Sequence, residues 1–139
     1  MHQAEDTITV KTRGPGLTDI SGEIAEIIRA SRVSMGLATV FCTHTSASLL
    51  IQENADPAVQ RDLMAFFRRI VPEGDPLFSH TTEGPDDMPA HVKSALTQTS
   101  LSIPIKSGRM VLGIWQGIYL FEHRADPHTR QVVVHVIGV

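Results

Sequence analysis

Residues 100–139, SLSIPIKSGRMVLGIWQGIYLFEHRADPHTRQVVVHVIGV, decide the fold of this chain. They contain three apolar runs, at Ser100 to Ile105, Met110 to Glu122 and Gln131 to Val139. Lys-Ser-Gly and Ala-Asp-Pro-His segments separate the runs, and short polar segments with glycine or proline are typical of turns. Because strands joined by short turns pair in opposite directions, this stretch predicts three antiparallel strands.

Two further strands are predicted in the first part of the chain. Thr7 to Thr12 alternates polar and apolar residues, which indicates a strand with one buried face. Leu37 to Thr43 is apolar and β-branched on both faces, which is typical of a central strand. Cys42 lies in this run and is therefore expected to face the core.

Three amphipathic stretches predict helices from Thr18 or Asp19 to Ser31, from Asp56 to Pro72, and from about Asp87 to Thr97. The second start is the best defined, because Asp56 can accept hydrogen bonds from free amides and Pro57 suits the first helical position. Each helix carries an apolar stripe that is expected to face the core. The stripes of the second and third helices are Val59, Leu63, Phe66, Phe67 and Ile70, and Met88, Val92 and Leu96.

The elements follow the order β-α-β-α-α-β-β-β, which predicts a single α+β domain over residues 1–139. In this arrangement three helices cover one face of a mostly antiparallel sheet. The other face of the sheet also needs cover. The apolar run Ile114 to Phe121, with Gly113 and Gly117, indicates close backbone approach or burial against another subunit.

Charge and composition exclude several classes of function. A net charge of -3 disfavours nucleic-acid and anionic-membrane binding, because such proteins need a basic surface. The single cysteine, Cys42, permits no intrachain disulfide. Met1 to Asp6 lacks the features of a signal peptide, and no apolar run approaches the roughly 18 residues of a membrane span. We therefore expect a cytoplasmic protein with no nucleic-acid or membrane partner.

Two polar segments carry candidate chemistry. Residues 42–48, CTHTSAS, follow the central strand, and residues 80–93, HTTEGPDDMPAHVK, run from a loop into the third helix. His44, His80 and His91 lie at positions where binding and catalysis concentrate, outside the helical stripes. Together they could form the open three-histidine site that catalytic zinc prefers. The alternative is that they are hydrogen-bonded structural histidines.

The charged residues near these segments have two interpretations. Glu83 is interpreted as a group for proton transfer or Mg²⁺ binding, whereas Asp87 is interpreted mainly as a helix cap. Lys93, Arg124 and Arg130 either contact a phosphate or are ordinary surface cations. The sequence leaves these alternatives open.

Trp115 and Gln116 stand out within the apolar run of residues 110–122. An indole beside an amide, between Gly113 and Gly117, can stack on the ring of a ligand and line a pocket. The alternative is a tryptophan that belongs to the core. Both interpretations fit an apolar strand.

Three motifs in this order resemble the YjbQ-like family. They are CTHTSAS at 42–48 with Asn54-Ala55-Asp56-Pro57, EGPDDMPAH at 83–91, and GIWQGI at 113–118. The resemblance covers about residues 8–138. It implies a small α+β protein that forms a homotrimer, from a family long without an assigned function, to which a thiamine-phosphate-synthase-like side activity is attributed. Members usually carry a threonine before the Trp-Gln pair, where this chain has Ile114.

The resemblance also implies that one site gathers the residues that match the family motifs. Its catalytic residues are expected to be His44, Thr45, Ser46, Glu83 and Gln116. Substrate or cofactor binding is expected from Asn54, Asp56, Lys93, Trp115 and Arg124. A divalent metal, Zn²⁺ or Mg²⁺, is expected to bind His44, His80 and His91.

Three functions fit these residues. The first is an enzyme that resembles thiamine-phosphate synthase: it joins a thiazole alcohol phosphate to a pyrimidine methyl diphosphate and releases pyrophosphate. Cations and a metal would neutralise the diphosphate, and Trp115 would stack on the pyrimidine ring. The second is a trimeric carrier or sensor of a phosphorylated or metal-bound ligand, and the third is a metal-assisted phosphohydrolase. The same side chains serve all three functions, and the partner expected is a small phosphorylated molecule.

Overall fold

The computed structural model describes residues 1–139 as eight strands and three helices. In chain order these are β1 (His2–Thr12), β2 (Gly16–Asp19), α1 (Ser21–Ser31), β3 (Met35–Cys42), β4 (Ala47–Glu53), α2 (Pro57–Ile70), α3 (Asp87–Leu96), β5 (Ser100–Lys106), β6 (Arg109–Met110), β7 (Gln116–Glu122) and β8 (His128–Gly138). Every pair of neighbouring strands is antiparallel. The predicted α+β class, with three helices and antiparallel pairing, is confirmed.

The strands form two sheets. The larger sheet has the order β1-β8-β3-β5-β6, and the smaller has the order β2-β7-β4. β3 is the middle strand of the larger sheet, as its apolar sequence predicts. The two sheets and α1 enclose one core, to which β8 contributes Val132, Val134 and Val136, α1 contributes Ile24 and Ile28, and the smaller sheet contributes Leu49, Ile118 and Leu120.

The run of residues 110–122 was predicted to form one strand. In the structure this run is divided between the two sheets. β6 ends at Met110, and β7 begins at Gln116. Between them the Gly113 amide donates to Oε1 of Gln116 over 2.8 Å, and the Gln116 amide donates to the Gly113 carbonyl over 3.0 Å. These hydrogen bonds form a turn within an apolar sequence, so hydrophobicity alone does not reveal the break.

The helix boundaries follow the sequence, but two of the predicted buried faces are wrong. Asp56 caps α2 by accepting a hydrogen bond from the Ala58 amide over 2.9 Å, as predicted. No residue of α2 is buried, and Phe66 and Ile70 are each 46% exposed. Val59, Leu63 and Phe67 are half-buried, and Phe67 packs edge-on against buried Phe121 with ring centroids 5.3 Å apart. The apolar stripe of α2 is therefore only partly covered and adds no residue to the main core.

The third helix buries small and polar residues instead of its predicted apolar stripe. Its buried positions are Asp87, Pro89, Ala90 and Ser94, whereas Leu96 is 58% exposed. Small side chains let α3 approach β4 closely, and the Ser94 hydroxyl donates to the Ala47 carbonyl over 3.4 Å. The face of α3 that carries small and polar residues therefore packs against the rest of the protein, and the predicted apolar face does not.

The helices were also compared with the length and composition of membrane-spanning helices. None of the three helices combines the length and the apolar character that crossing a membrane requires. The longest, α2, has 14 residues and carries Arg68 and Arg69 in its last turn.

Candidate metal centre and the polar network around it

Four side chains converge where the loop before α3 enters the helix. His80 and Glu83 come from the loop, and Asp87 and His91 lie one helical turn apart on the same face of α3. One ligand atom from each of the four lies within 4.8 Å of the other three. Asp87 is the centre of the group, because its Oδ2 lies 2.8 Å from Nε2 of His80 and 3.1 Å from Nε2 of His91.

The hydrogen bonding of His91 fixes which of its nitrogens carries a proton. Nδ1 of His91 lies 2.9 Å from the carbonyl oxygen of Thr45. A carbonyl only accepts, so Nδ1 carries a proton and a neutral His91 has its lone pair on Nε2. That lone pair points at the Asp87 carboxylate, and two electron pairs repel each other. A metal ion between the two groups would remove this repulsion, because the imidazole lone pair and the carboxylate could both bind it.

The neighbouring charges shift two pKa values in opposite directions. The hydrogen bonds of His80 with Asp87 and Glu83 raise the pKa of His80. Burial acts to raise the pKa of Asp87, but the hydrogen bond with His80 and the nearby positive charges outweigh burial and lower it. Asp87 is thus an anion over the physiological pH range, which suits a metal ligand.

Arg124 holds the loop and α3 together. Its Nε donates to Oδ2 of Asp86 over 2.9 Å, its NH1 lies 2.9 Å from Oδ1 of Asp87, and its NH2 donates to the Glu83 carbonyl over 3.0 Å. Oδ2 of Asp86 also accepts from the Ala125 amide over 2.8 Å. The prediction that Asp87 mainly caps the helix is wrong, because its carboxylate contacts His80, His91 and Arg124 instead of free helix amides.

His44 is not part of this group within one chain. Its Nε2 accepts a hydrogen bond from the Gln131 amide over 2.8 Å, and its Nδ1 lies 3.5 Å from NH1 of Arg130. Burial, followed by the charge of Arg130, lowers the pKa of His44. The single chain therefore does not assemble the predicted set of three histidines; Glu83 and Asp87 stand beside His80 and His91 where His44 was expected.

Thr45 contacts the group at α3 through its backbone, and the Ser46 hydroxyl binds Arg130 instead. Thr45 uses its backbone carbonyl, which accepts from His91, as described above. Oγ of Ser46 accepts from NH2 of Arg130 over 3.0 Å. Arg130 is 4% exposed and forms a buried ion pair with Glu122, with Nε 2.8 Å from Oε1 and NH2 2.5 Å from Oε2. The interpretation of Arg130 as a surface cation is wrong.

A second group of predicted site residues lies at the other end of the smaller sheet. Glu53 pairs with Gln116 at one end of β4 and β7, and Ala47 pairs with Glu122 at the other. Six residues along a strand span about 20 Å. Asn54 and Trp115 lie beside the Gln116 end, far from the group at α3.

The contacts in this second group are mainly structural. Nδ2 of Asn54 donates to the carbonyls of Ile114 and Gln116 over 3.3 and 3.4 Å, and Asp56 caps α2. Trp115 is 59% exposed and precedes β7. It therefore lies neither within the predicted strand nor in the core. One subunit thus offers two separate groups of motif residues and not one shared pocket.

Lys93 and His123 belong to neither group. Both line a cavity of about 280 Å³ beside α3. His123 and Glu122 were not selected from the sequence, whereas Asp87 and Arg130 were selected but given other roles. Arg130 could have been found, because it has the same strand parity as Val132 and therefore the same inward face.

Comparison of the sequence with known proteins agrees with these motifs. The family model described as UPF0047 protein YjbQ-like matches residues 6–139. A UPF0047 protein of Synechocystis is 52% identical over 136 residues, which cover 98% of this chain and 92% of that protein. The YjbQ protein of Escherichia coli O157:H7 is 39% identical over 135 residues, which cover 96% of this chain and 97% of that protein.

Solved structures share the fold. A crystal structure of an uncharacterized YjbQ/UPF0047 family protein from Clostridium acetobutylicum has a TM-score of 0.88 and 38% identity, covering 95% of this chain and 99% of that chain. A hypothetical protein of Aeropyrum pernix has a TM-score of 0.89 and 28% identity, covering 98% of this chain and 99% of that chain. The chain therefore belongs to the UPF0047 family of YjbQ-like proteins, whose function is uncharacterised.

Proposed function

We propose that this protein is a divalent-metal-dependent enzyme that acts on a small phosphate ester, with the metal held by His80, Glu83, Asp87 and His91. The observation that carries the proposal is the position of His91, whose Nε2 lies 3.1 Å from the Asp87 carboxylate while the Thr45 carbonyl accepts from Nδ1. Histidine ligands of metals commonly donate their other N–H to a carbonyl in this way. The same contact fixes the ring for binding.

The geometry of the four ligands supports a first-row transition metal. Ligands bound to zinc at about 2.0–2.2 Å lie at most about 4.4 Å apart, and the four atoms here lie within 4.8 Å of one another. Small rotations of the exposed His80 and Glu83 side chains are enough to close the set. Two imidazoles among the ligands favour Zn²⁺ over Mg²⁺, which prefers oxygen ligands.

The exposure of the group supports a catalytic over a structural metal. The side chains of His80 and Glu83 are 44% and 61% exposed, so a water molecule and a substrate can reach the site. A metal bound there would polarise a phosphate oxygen and lower the pKa of a bound water. Release of the exposed Glu83 from the metal would leave His80, Asp87 and His91 as three ligands, open a position for that water and free the Glu83 carboxylate to accept its proton. These roles support hydrolysis of a phosphate ester within one subunit.

Turnover assays test this proposal. We expect the Zn²⁺-loaded protein to hydrolyse at least one member of a panel of small phosphate monoesters and diesters, and the chelator-treated protein to lose this activity and regain it with Zn²⁺. No turnover by the loaded protein on the panel would contradict hydrolysis. Binding of a phosphorylated compound without turnover would favour the carrier or sensor function.

A second candidate is the transferase that the family resemblance implied. The exposed ring of Trp115 supports it, because a solvent-facing indole can stack on a pyrimidine. The distance of about 20 Å between Trp115 and the metal ligands means that Trp115 of one subunit would have to serve the ligands of another. An assay with thiazole phosphate and pyrimidine diphosphate, followed by release of pyrophosphate, separates this reaction from hydrolysis.

A homotrimer is the assembly we propose for this second reaction, in a cytoplasmic setting. The outer face of the larger sheet supports association, since Met35, Leu37, Phe41 and Ile137 are between 37% and 65% exposed there. Apolar side chains grouped on one sheet face indicate a protein interface.

Sedimentation tests the assembly. We expect a trimer at micromolar concentration, and Phe41→Lys should lower its stability because the variant places a charge in the apolar interface. Glu23→Lys, which places the same charge at an exposed position of α1, is the control and should leave the mass unchanged. A stable monomer would contradict the assembly and, with it, the transferase.

A further inference from the structure

The cavity of about 280 Å³ lies between the end of α2, α3 and the segment after β7. On the α3 side it is lined by Asp86, Pro89 and Lys93, which are three and four residues apart and share one helix face. The metal ligands Asp87 and His91 occupy the neighbouring face. The cavity and the candidate metal centre are therefore separate compartments on either side of the same helix.

His123 is a buried lining residue with an unused ring nitrogen. It is 2% exposed, and its Nε2 lies 2.8 Å from Oγ of Ser48. Its Nδ1 is the one buried side-chain nitrogen or oxygen without a hydrogen-bond partner in the structure. Such groups are rare in native proteins and need an explanation, which a bound ligand or ion can provide.

His123 can act as a neutral donor. Burial, followed by the charge of Lys93, lowers the pKa of His123 to about 3, so the ring is uncharged at physiological pH. When the Ser48 hydroxyl donates to Nε2, the single proton of the neutral ring sits on Nδ1. An acceptor in the cavity would then complete the hydrogen bonding of His123.

The charges of the cavity wall favour an anion. Lys93 and Arg68 line the cavity, and neither is within salt-bridge distance of a carboxylate. Of the two lining carboxylates, Asp86 is bound by Arg124 and the Ala125 amide. Glu73 alone then opposes two unpaired cations.

We propose that this cavity binds the phosphate group of a small molecule, with Lys93 and Arg68 supplying positive charge and Nδ1 of His123 donating a hydrogen bond. Cationic side chains and a fixed N–H donor are the usual partners of phosphate oxygens. Met64 and Val71, which also line the cavity, provide apolar contact for a short organic body. The volume suits a phosphate with a small organic body.

Inorganic phosphate and the metal-free protein test the proposal. Calorimetry in the presence of a chelator should detect phosphate binding to the wild type. Lys93→Met should weaken it about tenfold or more, because a charge-assisted hydrogen bond is lost. Lys106→Met, which removes an exposed lysine at the end of β5, is the matched control and should bind like the wild type. Equal affinity in Lys93→Met and the wild type would overturn the proposal.

A second measurement needs no substitution at the buried histidine. In nitrogen-detected NMR of the histidine rings, phosphate should shift the Nδ1 resonance of His123 and leave that of His135 in place. A saturating phosphate titration that leaves His123 unshifted would also overturn the proposal. His91→Ala should retain phosphate binding, because His91 belongs to the metal centre and not to this cavity. A failure of the phosphate proposal would therefore leave the proposed metal-dependent function untouched.

Discussion

His91→Ala and Asp87→Asn are expected to abolish Zn²⁺ binding and, with it, the metal-dependent activity. Each removes a ligand, and Asp87→Asn also removes the anion that faces both His80 and His91. Loss of one of three or four ligands lowers the affinity of a metal site by orders of magnitude, because the site depends on donor number and charge. Metal content after dialysis, measured by mass spectrometry, checks the result.

His44→Ala and His135→Ala are the controls for this series. His44 contacts the Gln131 amide, not the group at α3, so its variant should keep the metal; His135 contacts Gln3 on the outer strands and should keep both metal and activity. A His44→Ala protein without metal would show that the ligand set is completed across subunits. A His91→Ala protein with full zinc content would contradict the metal centre.

The occupancy of the metal site should decrease as the pH is lowered. Imidazole binds as the neutral ring, and the carboxylates near His80 raise its pKa. Protons therefore compete with the metal at His80 from a higher pH than at an ordinary histidine, whose pKa is about 6.5. Zinc titrations at pH 7.5 and pH 5.5 should show clearly weaker binding at the lower pH.

Stability separates site residues from core residues. Leu63 and Phe66 are unsuitable for this contrast, because they lie on the surface stripe of α2. Leu120 is fully buried, and Leu120→Ala should cost about 2 to 5 kcal/mol of unfolding free energy. His91→Ala should cost much less, since its side chain is partly exposed.

The sequence predicted the strands and helix ends well where local chemistry determines them. Alternation along Thr7 to Thr12 and the Asp56-Pro57 start depend on neighbours in the chain. The division into two sheets does not, because the smaller sheet forms only when β2 and β4, which were not predicted, pair with the distant β7. The burial of the apolar stripe of α2 could not be predicted for the same reason. A sequence pattern shows which helix face is apolar, but not whether the rest of the chain covers that face.

The candidate site was predicted in part for a related reason. His80, Glu83 and His91 were identified because polar residues in a loop and at a helix start seldom belong to a core. Asp87 was assigned to capping, since an aspartate at a helix start looks the same whether it binds amides or histidines. The spacing on α3 places His91 beside Asp87, but only the folded loop, held by Arg124, brings His80 to the Asp87 carboxylate.

Arg130→Met is expected to destabilise the fold by about 3 to 5 kcal/mol, the usual effect of removing one partner of a buried ion pair. Glu122 is 1% exposed and would remain buried with only the Thr12 hydroxyl and backbone amides of residues 123 and 124 as partners. Urea unfolding measures the change. Arg109→Met, at an exposed position of β6, should change stability little, and the double variant Arg130→Met with Glu122→Gln should recover part of the loss.

The pH dependence of this loss distinguishes an unpaired charge from lost packing. In the wild type, Arg130 and Thr12 outweigh burial and lower the pKa of Glu122, so its stabilising contribution is present above the unfolded pKa of about 4.3 and declines as pH falls through the folded pKa. Without Arg130, burial dominates and raises the pKa of Glu122. The folded variant then gains stability from the neutral carboxyl as pH falls from 7 toward 5, whereas the wild type does not. The difference in unfolding free energy should therefore be smaller at pH 5 than at pH 7, and a constant difference would mean that packing of the Arg130 side chain, and not its charge, holds this part of the fold.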